Sequence, residues 1–186
     1  INTCSFIHDA EKESIASIFD MIRAGKKIII TGCLPQKYKK ELQELIPEAV
    51  AFIGTSDIDK IVDVIKNIGK NKDKMYAVSE KPEYIYPEDI KRQQITMGAS
   101  SYIKIAEGCD FNCGYCVIPK LRGPYRSRTI ENIVKEAKEL AQKGVSEIVL
   151  IAQDTSSYGK DIYSKPSLHK LLEELNKIQD LNWIRI

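Results

Sequence analysis

Residues 101–116 read SYIKIAEGCDFNCGYC and join an alternating apolar segment to a loop with three cysteines. The alternation predicts a strand over residues 101–106, with Tyr102 on one face and Ile103 and Ile105 on the other. The loop cysteines are spaced by three and then two residues, at Cys109, Cys113 and Cys116. Three thiolates within eight positions can hold three irons of a cubane iron–sulfur cluster and leave the fourth iron without a protein ligand. An iron of that kind can bind a small molecule and take part in chemistry.

Other interpretations of the cysteine loop remain open. A zinc site would more often show paired Cys-x2-Cys knuckles, and the two histidines, His8 and His169, lie far away in the sequence. A ferredoxin-type electron carrier would have a fourth cysteine, commonly followed by proline, whereas Pro119 follows Ile118. Three buried thiols are the remaining interpretation, and the density of cysteines on one loop disfavours it.

The composition indicates a globular chain without a membrane span. Of its 186 residues, 43% are hydrophobic and 29% charged, and no run approaches the ~18 consecutive apolar residues of a spanning helix. A net charge of +2 gives no general signal for nucleic-acid binding. Five cysteines, three of them clustered, favour metal ligation in a reducing cytoplasm over a disulfide framework.

Strands alternate with helices along the chain, which predicts an α/β fold with a mainly parallel sheet in the first part. Strands are expected at 27–31 and 50–53, with a helix capped by Asp57 whose apolar face includes Val62 and Ile65. We predict a first domain over 1–74, a linker over 75–97, and a second domain over 98–186. Three βα steps in the second domain are typical of the first half of a βα barrel, although an open doubly wound sheet has the same local pattern.

Cys4 and Cys33 each follow a predicted strand of the first domain. The carboxyl ends of parallel strands meet at one edge of a sheet, where ligands usually bind, so we expect the two thiols to lie close together. Without further information, two buried core thiols are an equally good interpretation.

The triad, preceded by a strand and carrying Tyr115 before its last cysteine, resembles the signature of the radical S-adenosylmethionine family. The resemblance implies a partial radical-SAM βα barrel and a 4Fe-4S cluster held by Cys109, Cys113 and Cys116. It also implies that the open iron binds S-adenosylmethionine, that cleavage of this molecule releases a 5′-deoxyadenosyl radical, and that flavodoxin or ferredoxin donates the electron. Such a radical must be enclosed away from water.

Further motifs resemble the methylthiotransferase branch of that family. They are residues 107–119, residues 122–128, residues 2–7 (NTCSFI) and residues 31–36 (TGCLPQ). In this branch three cysteines of the first domain hold a second 4Fe-4S cluster that binds the sulfur to be transferred. Cys4 and Cys33 match two of them, and we expect the third upstream of Ile1. Both ends of the sequence resemble interrupted strands, so we expect a fragment that lacks the start of the first domain and the second half of the barrel.

The segment 151–159, IAQDTSSYG, resembles the methylthiotransferases that modify ribosomal protein S12. That resemblance implies addition of a methylthio group to the β-carbon of an aspartate, with one S-adenosylmethionine giving the radical and another the methyl group. The alternatives are a tRNA 2-methylthioadenosine-forming enzyme with the same chemistry and, less favoured, a non-catalytic iron–sulfur or zinc module.

Three more residues are candidates for binding S-adenosylmethionine. Gln153 and Asp154 follow a barrel strand, although an ordinary hydrogen-bonded polar loop explains them equally well. Tyr115 is expected to pack by the adenine or to shield the cluster from water. A local basic group is expected to meet a carboxylate or a partner surface, or to be a solvated loop; it comprises Lys120, Arg122, Arg126 and Arg128.

Overall fold

The computed structural model describes residues 1–69, 74–86, 92–93 and 98–186, which form two compact units. The first unit comprises residues 1–84 and 111–123, and the second comprises residues 85–110 and 124–186. Residues 87–91 and 94–97 of the predicted linker lie outside the described residues. The domain limits at residues 74 and 98 stay predictions.

A four-stranded parallel sheet forms the centre of the first unit. Its strands are β1 (Asn2–Thr3), β2 (Ile29–Gly32), β3 (Ala51–Ile53) and β4 (Met75–Ala77), and they pair in that order. The register sets Asn2 opposite Thr31, and Ile29 opposite Ala51. β4 falls at the start of the segment that we predicted to be a linker; it pairs with β3 and supplies the edge of the sheet.

Helices cover both faces of this sheet, as predicted for a parallel sheet. They are α1 (His8–Arg23), α2 (Cys33–Tyr38), α3 (Glu41–Leu45), a 3₁₀ turn (Ile58–Lys60), α4 (Ile61–Asn67) and α5 (Ile118–Arg122). Side chains of β3 alternate between two cores: Phe52 packs with Ile18, whereas Ile53 packs with Val64. This alternation follows from the period of two in a strand.

Two expectations for α4 are wrong. Val62 and Ile65 were predicted to face the core, but they are 53% and 55% exposed, and Val64 is the buried residue of the helix. Asp57 does not cap the 3₁₀ turn with its side chain. It is buried instead, and it accepts hydrogen bonds from the Ser79 backbone N–H and hydroxyl, each at 2.7 Å. A partner 22 residues away offers two donors, which outcompete the local cap.

The second unit contains a parallel sheet and a short antiparallel pair. Its strands are β5 (Ser100–Lys104), β6 (Ala106–Glu107), β7 (Arg126–Ser127), β8 (Glu147–Ile151) and β9 (Trp183–Arg185). The sheet order is β5-β8-β9, and β6 pairs with β7. Its helices are α6 (Ile130–Gln142), α7 (Lys160–Tyr163) and α8 (Leu168–Leu175). In neither unit does a described helix have the length and apolar character needed to span a membrane.

The core of the second unit lies on one face of its sheet. Ile103 and Ile148 pack there against Ile133 of α6 and Leu171 of α8, whereas Tyr102 on the opposite face is 61% exposed. The strand order advances without reversal, so right-handed crossovers place both helices on the same side. One covered face and one open face are typical of the first steps of a βα barrel, and this α/β architecture agrees with the predicted fold class.

Candidate cluster-binding sites

Cys4 and Cys33 follow neighbouring strands of the first unit. β1 and β2 pair through Thr3 and Gly32, so the two cysteines are the first residues after adjacent strands, whose backbones lie about 4.8 Å apart. Cys33 is 4% exposed and Cys4 is exposed; neither forms a disulfide. The register thus agrees with the expectation that both lie at one edge of the sheet. Their role as metal ligands stays a prediction.

Gly32 makes this close approach possible. Its φ of 97° and ψ of −141° lie in a region that residues with a Cβ rarely adopt. A Cβ built at this position would lie 2.6 Å from the side-chain oxygen of Asn2 and 2.6 Å from the carbonyl oxygen of Thr3. The glycine therefore allows β2 to turn directly into α2, which begins at Cys33, without pushing β1 away.

Side-chain hydrogen bonds fix the backbone on both sides of the cysteine pair. The buried Thr3 hydroxyl donates to the Thr31 carbonyl at 2.6 Å and accepts from the Leu34 N–H at 3.2 Å. The Ser14 hydroxyl accepts from the Cys4 N–H at 3.0 Å and donates to the Cys4 carbonyl at 3.1 Å. Both strand ends are thus held by groups outside the sheet ladder.

Two polar groups next to the pair fit an iron–sulfur cluster. The Ser5 hydroxyl is buried and has no hydrogen-bond partner among the described residues, which is uncommon for a buried polar atom. The Arg122 guanidinium Nη2 lies 3.5 Å from Cys33 Sγ. Thiolates, a hydroxyl and a guanidinium donor beside them form a donor set suited to a negatively charged cluster with sulfide acceptors.

Gln36 also organises this edge, and we did not predict it. The side chain is 3% exposed; its amide donates to the Ser79 carbonyl at 2.8 Å and accepts from the Thr55 N–H at 3.2 Å. Gln36 thereby ties α2 to the chain after β3 and after β4. The only sequence signal for this role of Gln36 was its place three residues after Cys33, which we expected at the end of a strand.

The triad cysteines are free thiols at different degrees of exposure. Cys113 is exposed and Cys116 is half-buried in the first unit, where the Cys116 N–H donates to the Cys113 carbonyl at 3.0 Å. Cys109 is half-buried in the second unit. Among the described residues there is no group of three or more His, Cys, Asp or Glu side chains arranged to hold a metal. The triad as a cluster site stays a prediction from its spacing.

Gln153 contacts the backbone just before the triad. Its side-chain oxygen accepts from the Gly108 N–H at 2.8 Å, across 45 residues of sequence. This bond joins the end of β8 to the loop that leads into Cys109. The structure thus gives Gln153 a positioning contact, and binding of S-adenosylmethionine by it stays a prediction.

Asp154 sits in a hydrogen-bonded turn. Its Oδ1 accepts from the Ser156 N–H at 3.0 Å and from the Ser156 hydroxyl at 2.6 Å. Burial raises the pKa of Asp154, but hydrogen bonds from Ser156 and Ser157 outweigh it and leave the pKa below its usual value. The second oxygen, Oδ2, is buried and has no hydrogen-bond partner in the part of the chain that the structure describes. An anionic carboxylate with one open acceptor is compatible with a ligand donor.

Tyr125 lies beside this turn. Its hydroxyl donates to the Asp154 carbonyl at 2.6 Å, and its N–H donates to Asp110 at 2.8 Å. Burial, together with the negative charges of Asp154 and Asp161, raises the pKa of Tyr125 well above its usual value, so it remains a protonated donor. Tyr115 is 91% exposed, and its proposed contact with adenine stays a prediction.

The predicted basic group is not one surface. Arg128 is 8% exposed; it donates to Asn132 at 2.6 Å and pairs with Glu136 at 2.7 Å. Its charge is therefore used inside the second unit, and the expectation that it meets a carboxylate of a ligand or a partner is wrong. Both partners lie on α6, four and eight residues further along the chain, and the loop sequence itself does not show that the side chain turns towards them. Lys120 is exposed, whereas Arg122 contacts Cys33.

Two family models match the chain. Residues 103–185 match the model described as the radical SAM superfamily, and residues 1–54 match the one described as uncharacterized protein family UPF0004. The second match includes Cys4 and Cys33, and the first includes the triad.

Curated relatives are similar over the whole chain. Each is called ribosomal protein uS12 methylthiotransferase RimO: the protein of Rippkaea orientalis is 47% identical over 186 residues, that of Synechocystis sp. is 47% identical, and that of Prochlorococcus marinus strain MIT 9312 is 50% identical. All three alignments cover 100% of this chain and 40–42% of the relative. The chain therefore spans about two fifths of the length of these relatives.

Two solved structures share the fold. Both are of TsrM from Kitasatospora setae, described as a radical S-adenosylmethionine methyltransferase: one has tryptophan and a S-adenosylmethionine analogue bound, the other cobalamin and a [4Fe-4S] cluster. The TM-score is 0.56 for each, with 15% and 16% identity; the alignments cover 87% of this chain and 35–36% of the other. At this identity the likeness extends to the fold alone.

Proposed function

We propose that this chain, which belongs to the radical S-adenosylmethionine methylthiotransferase family, is part of an enzyme that adds a methylthio group to ribosomal protein uS12. The observation that carries the proposal is the placement of Cys4 and Cys33 at adjacent strand ends, in a chain that also has the Cys-x3-Cys-x2-Cys loop. The names of the relatives supply the substrate.

The proposal assigns the two sets of cysteines different tasks. Membership of the superfamily implies a 4Fe-4S cluster and S-adenosylmethionine, and we assign this cluster to Cys109, Cys113 and Cys116. When bound, the reduced cluster and its S-adenosylmethionine supply a 5′-deoxyadenosyl radical that removes hydrogen from an unactivated carbon. We assign a second, sulfur-donating 4Fe-4S cluster to Cys4 and Cys33 together with a further ligand. A second S-adenosylmethionine supplies the methyl group.

The chain's own residues prepare these sites. Gly32 brings β1 and β2 together, Thr3 and Ser14 hold the strand ends, and Gln153 holds the start of the triad loop. Asp154 presents a buried carboxylate oxygen that no described residue hydrogen-bonds, which suits a hydrogen-bond donor on S-adenosylmethionine. These contacts support pre-organised ligand positions.

The substrate carbon in the proposal is the β-carbon of an aspartate of uS12. We place the enzyme in the cytoplasm, and flavodoxin or ferredoxin is the proposed electron donor. The same chemistry on adenosine of a tRNA is the alternative that an experiment must separate.

The test uses the full-length protein, reconstituted anaerobically with iron and sulfide. It is incubated with S-adenosylmethionine, a reductant, and either a uS12 peptide that contains an aspartate or hypomodified tRNA. The proposal expects release of 5′-deoxyadenosine and a gain of about 46 Da on the peptide, the mass of a methylthio group replacing hydrogen. Modification of the tRNA and not of the peptide would show that tRNA is the substrate. If the protein is colourless, contains zinc and never cleaves S-adenosylmethionine, the proposal that it is an enzyme is wrong.

A further inference from the structure

We propose that Arg122 is a positioning residue of the sulfur-donating site: its guanidinium holds the Cys33 thiolate as a cluster ligand and makes that cluster easier to reduce. The proposal rests on the function proposed above, in which Cys33 is a ligand. It goes further because it gives a task to a residue outside the first 54 residues that match the first-domain family.

The contact itself is specific. Arg122 Nη2 lies 3.5 Å from Cys33 Sγ, and the two residues are 89 positions apart in the sequence. Cys33 is 4% exposed, so few other groups can reach its sulfur. A guanidinium is always charged and offers several donors in a fixed plane, which lets one N–H point at the sulfur while others serve neighbouring groups.

Contacts of neighbouring residues hold Arg122 in place. It lies on α5, which packs against α2. The adjacent Leu121 is 2% exposed, and its carbonyl accepts from the Thr55 hydroxyl at 2.6 Å. The helix ends where the Gly123 N–H bonds to the Pro119 carbonyl at 3.0 Å. Leu121 and these backbone bonds anchor α5, so the guanidinium can be replaced without removing the anchor.

Two consequences follow from a charged donor on a cluster thiolate. Groups that hold a metal ligand typically contribute 10–100-fold to metal affinity. Hydrogen bonds to the sulfurs and nearby positive charge favour the reduced cluster, which carries one more negative charge, and so raise its reduction potential. Removing Arg122 should therefore loosen the cluster and lower its potential together.

The test uses full-length protein in which Cys109, Cys113 and Cys116 are alanine, so that only the first-unit cluster can form. In this background we compare Arg122→Met, Arg122→Lys and the matched control Lys120→Met, which removes an exposed charge from the same helix. The rate of iron loss to a chelator and the midpoint potential are measured. We expect about 10-fold faster loss and a lower potential for Arg122→Met, intermediate values for Arg122→Lys, and no change for Lys120→Met.

The outcomes separate this inference from the function on which it rests. Equal iron loss and equal potential in Arg122→Met and Lys120→Met would overturn the inference while leaving the cluster in place. No iron in the background protein would overturn both. Urea unfolding of the apo forms reports any effect on the fold. The inference would also be overturned if iron were lost faster only in proportion to a lower stability of the apo form, while the midpoint potential stayed unchanged in Arg122→Met and Arg122→Lys.

Discussion

Replacing Gly32 with alanine should damage both the stability of the first unit and its capacity for a cluster. The backbone at Gly32 has φ of 97°, and a residue with a Cβ in such a region costs about 1–3 kcal/mol. The added Cβ would also lie 2.6 Å from the Thr3 carbonyl oxygen, so β1 must shift, which adds roughly 1–3 kcal/mol as overpacking. Together the free energy of unfolding should fall by about 2–6 kcal/mol.

Gly25 provides the matched control. Its φ is 68°, and a Cβ there would meet no atom of the described residues within 4 Å, so Gly25→Ala should lose only about 1–2 kcal/mol. With a urea m-value of about 2 kcal/mol/M, the expected midpoint shifts are about 1–3 M for Gly32→Ala and about 0.5–1 M for Gly25→Ala.

The assay is urea unfolding of apo protein, followed by alkylation of Cys33 and mass spectrometry of its peptide. Cys33 is buried, so its labelling reports opening of the first unit. The same variants are then reconstituted, and iron is measured. Because the shift of β1 moves Cys4 away from Cys33, Gly32→Ala should also lose the first-unit cluster, whereas Gly25→Ala should keep it. Equal midpoints and equal iron in the two variants would refute the steric reasoning.

Three further predictions concern single side-chain hydrogen-bond acceptors. Thr129→Ala removes the side-chain acceptor for the Asn132 N–H at the start of α6 and should lower thermal stability by about 1 kcal/mol. Gln153→Leu leaves the Gly108 N–H without its acceptor; this should cost about 1–3 kcal/mol and loosen iron at the triad, as measured by chelator release. Asp57→Asn should cost about 2 kcal/mol at pH 7 in urea unfolding, because the carboxylate accepts two bonds from Ser79. Burial raises the pKa of Asp57, but bonds from Lys60 and Ser79 outweigh it and lower the pKa. The advantage of the wild type over Asp57→Asn should therefore be full above the unfolded pKa of about 3.9 and disappear as pH falls through the lower folded value.

Each of these variants has a control, either a conservative substitution at the same residue or the same substitution at a neighbouring residue. Thr129→Ser keeps a hydroxyl acceptor and should retain most of the capping energy. Gln153→Glu keeps a side-chain oxygen opposite Gly108. Asp59→Asn changes an exposed carboxylate next to the same turn and should leave the acid dependence unchanged. A pH profile of Asp59→Asn that matches Asp57→Asn would contradict the assignment to Asp57.

The regular parts of the fold could be predicted from the sequence because burial of one face makes hydrophobic residues recur at regular intervals. Ile103 and Ile105 face the core while Tyr102 is exposed, as alternation requires, and Thr129 caps α6 as its position before an apolar stripe indicates. The placement of Cys4 and Cys33 at one edge of the sheet follows from two neighbouring parallel strands, each followed directly by a cysteine.

The features that were not predicted depend on contacts between distant residues. β6 and β7 have only two residues each, too few to show a period. Arg128 fits a solvated loop residue by sequence, yet it is buried and donates to the Lys104 carbonyl, 24 residues away. Arg122 could be assigned to a basic group but not to Cys33, because 89 residues separate them and no local pattern records the contact.

The most direct test of the two-site account is the iron and sulfide content of the full-length protein after anaerobic reconstitution. The account predicts about eight irons for the wild type and about four each for a Cys4→Ala/Cys33→Ala variant and for a Cys109→Ala/Cys113→Ala/Cys116→Ala variant, since each cubane holds four. About four irons in the wild type, unchanged when Cys4 and Cys33 are replaced, would contradict it.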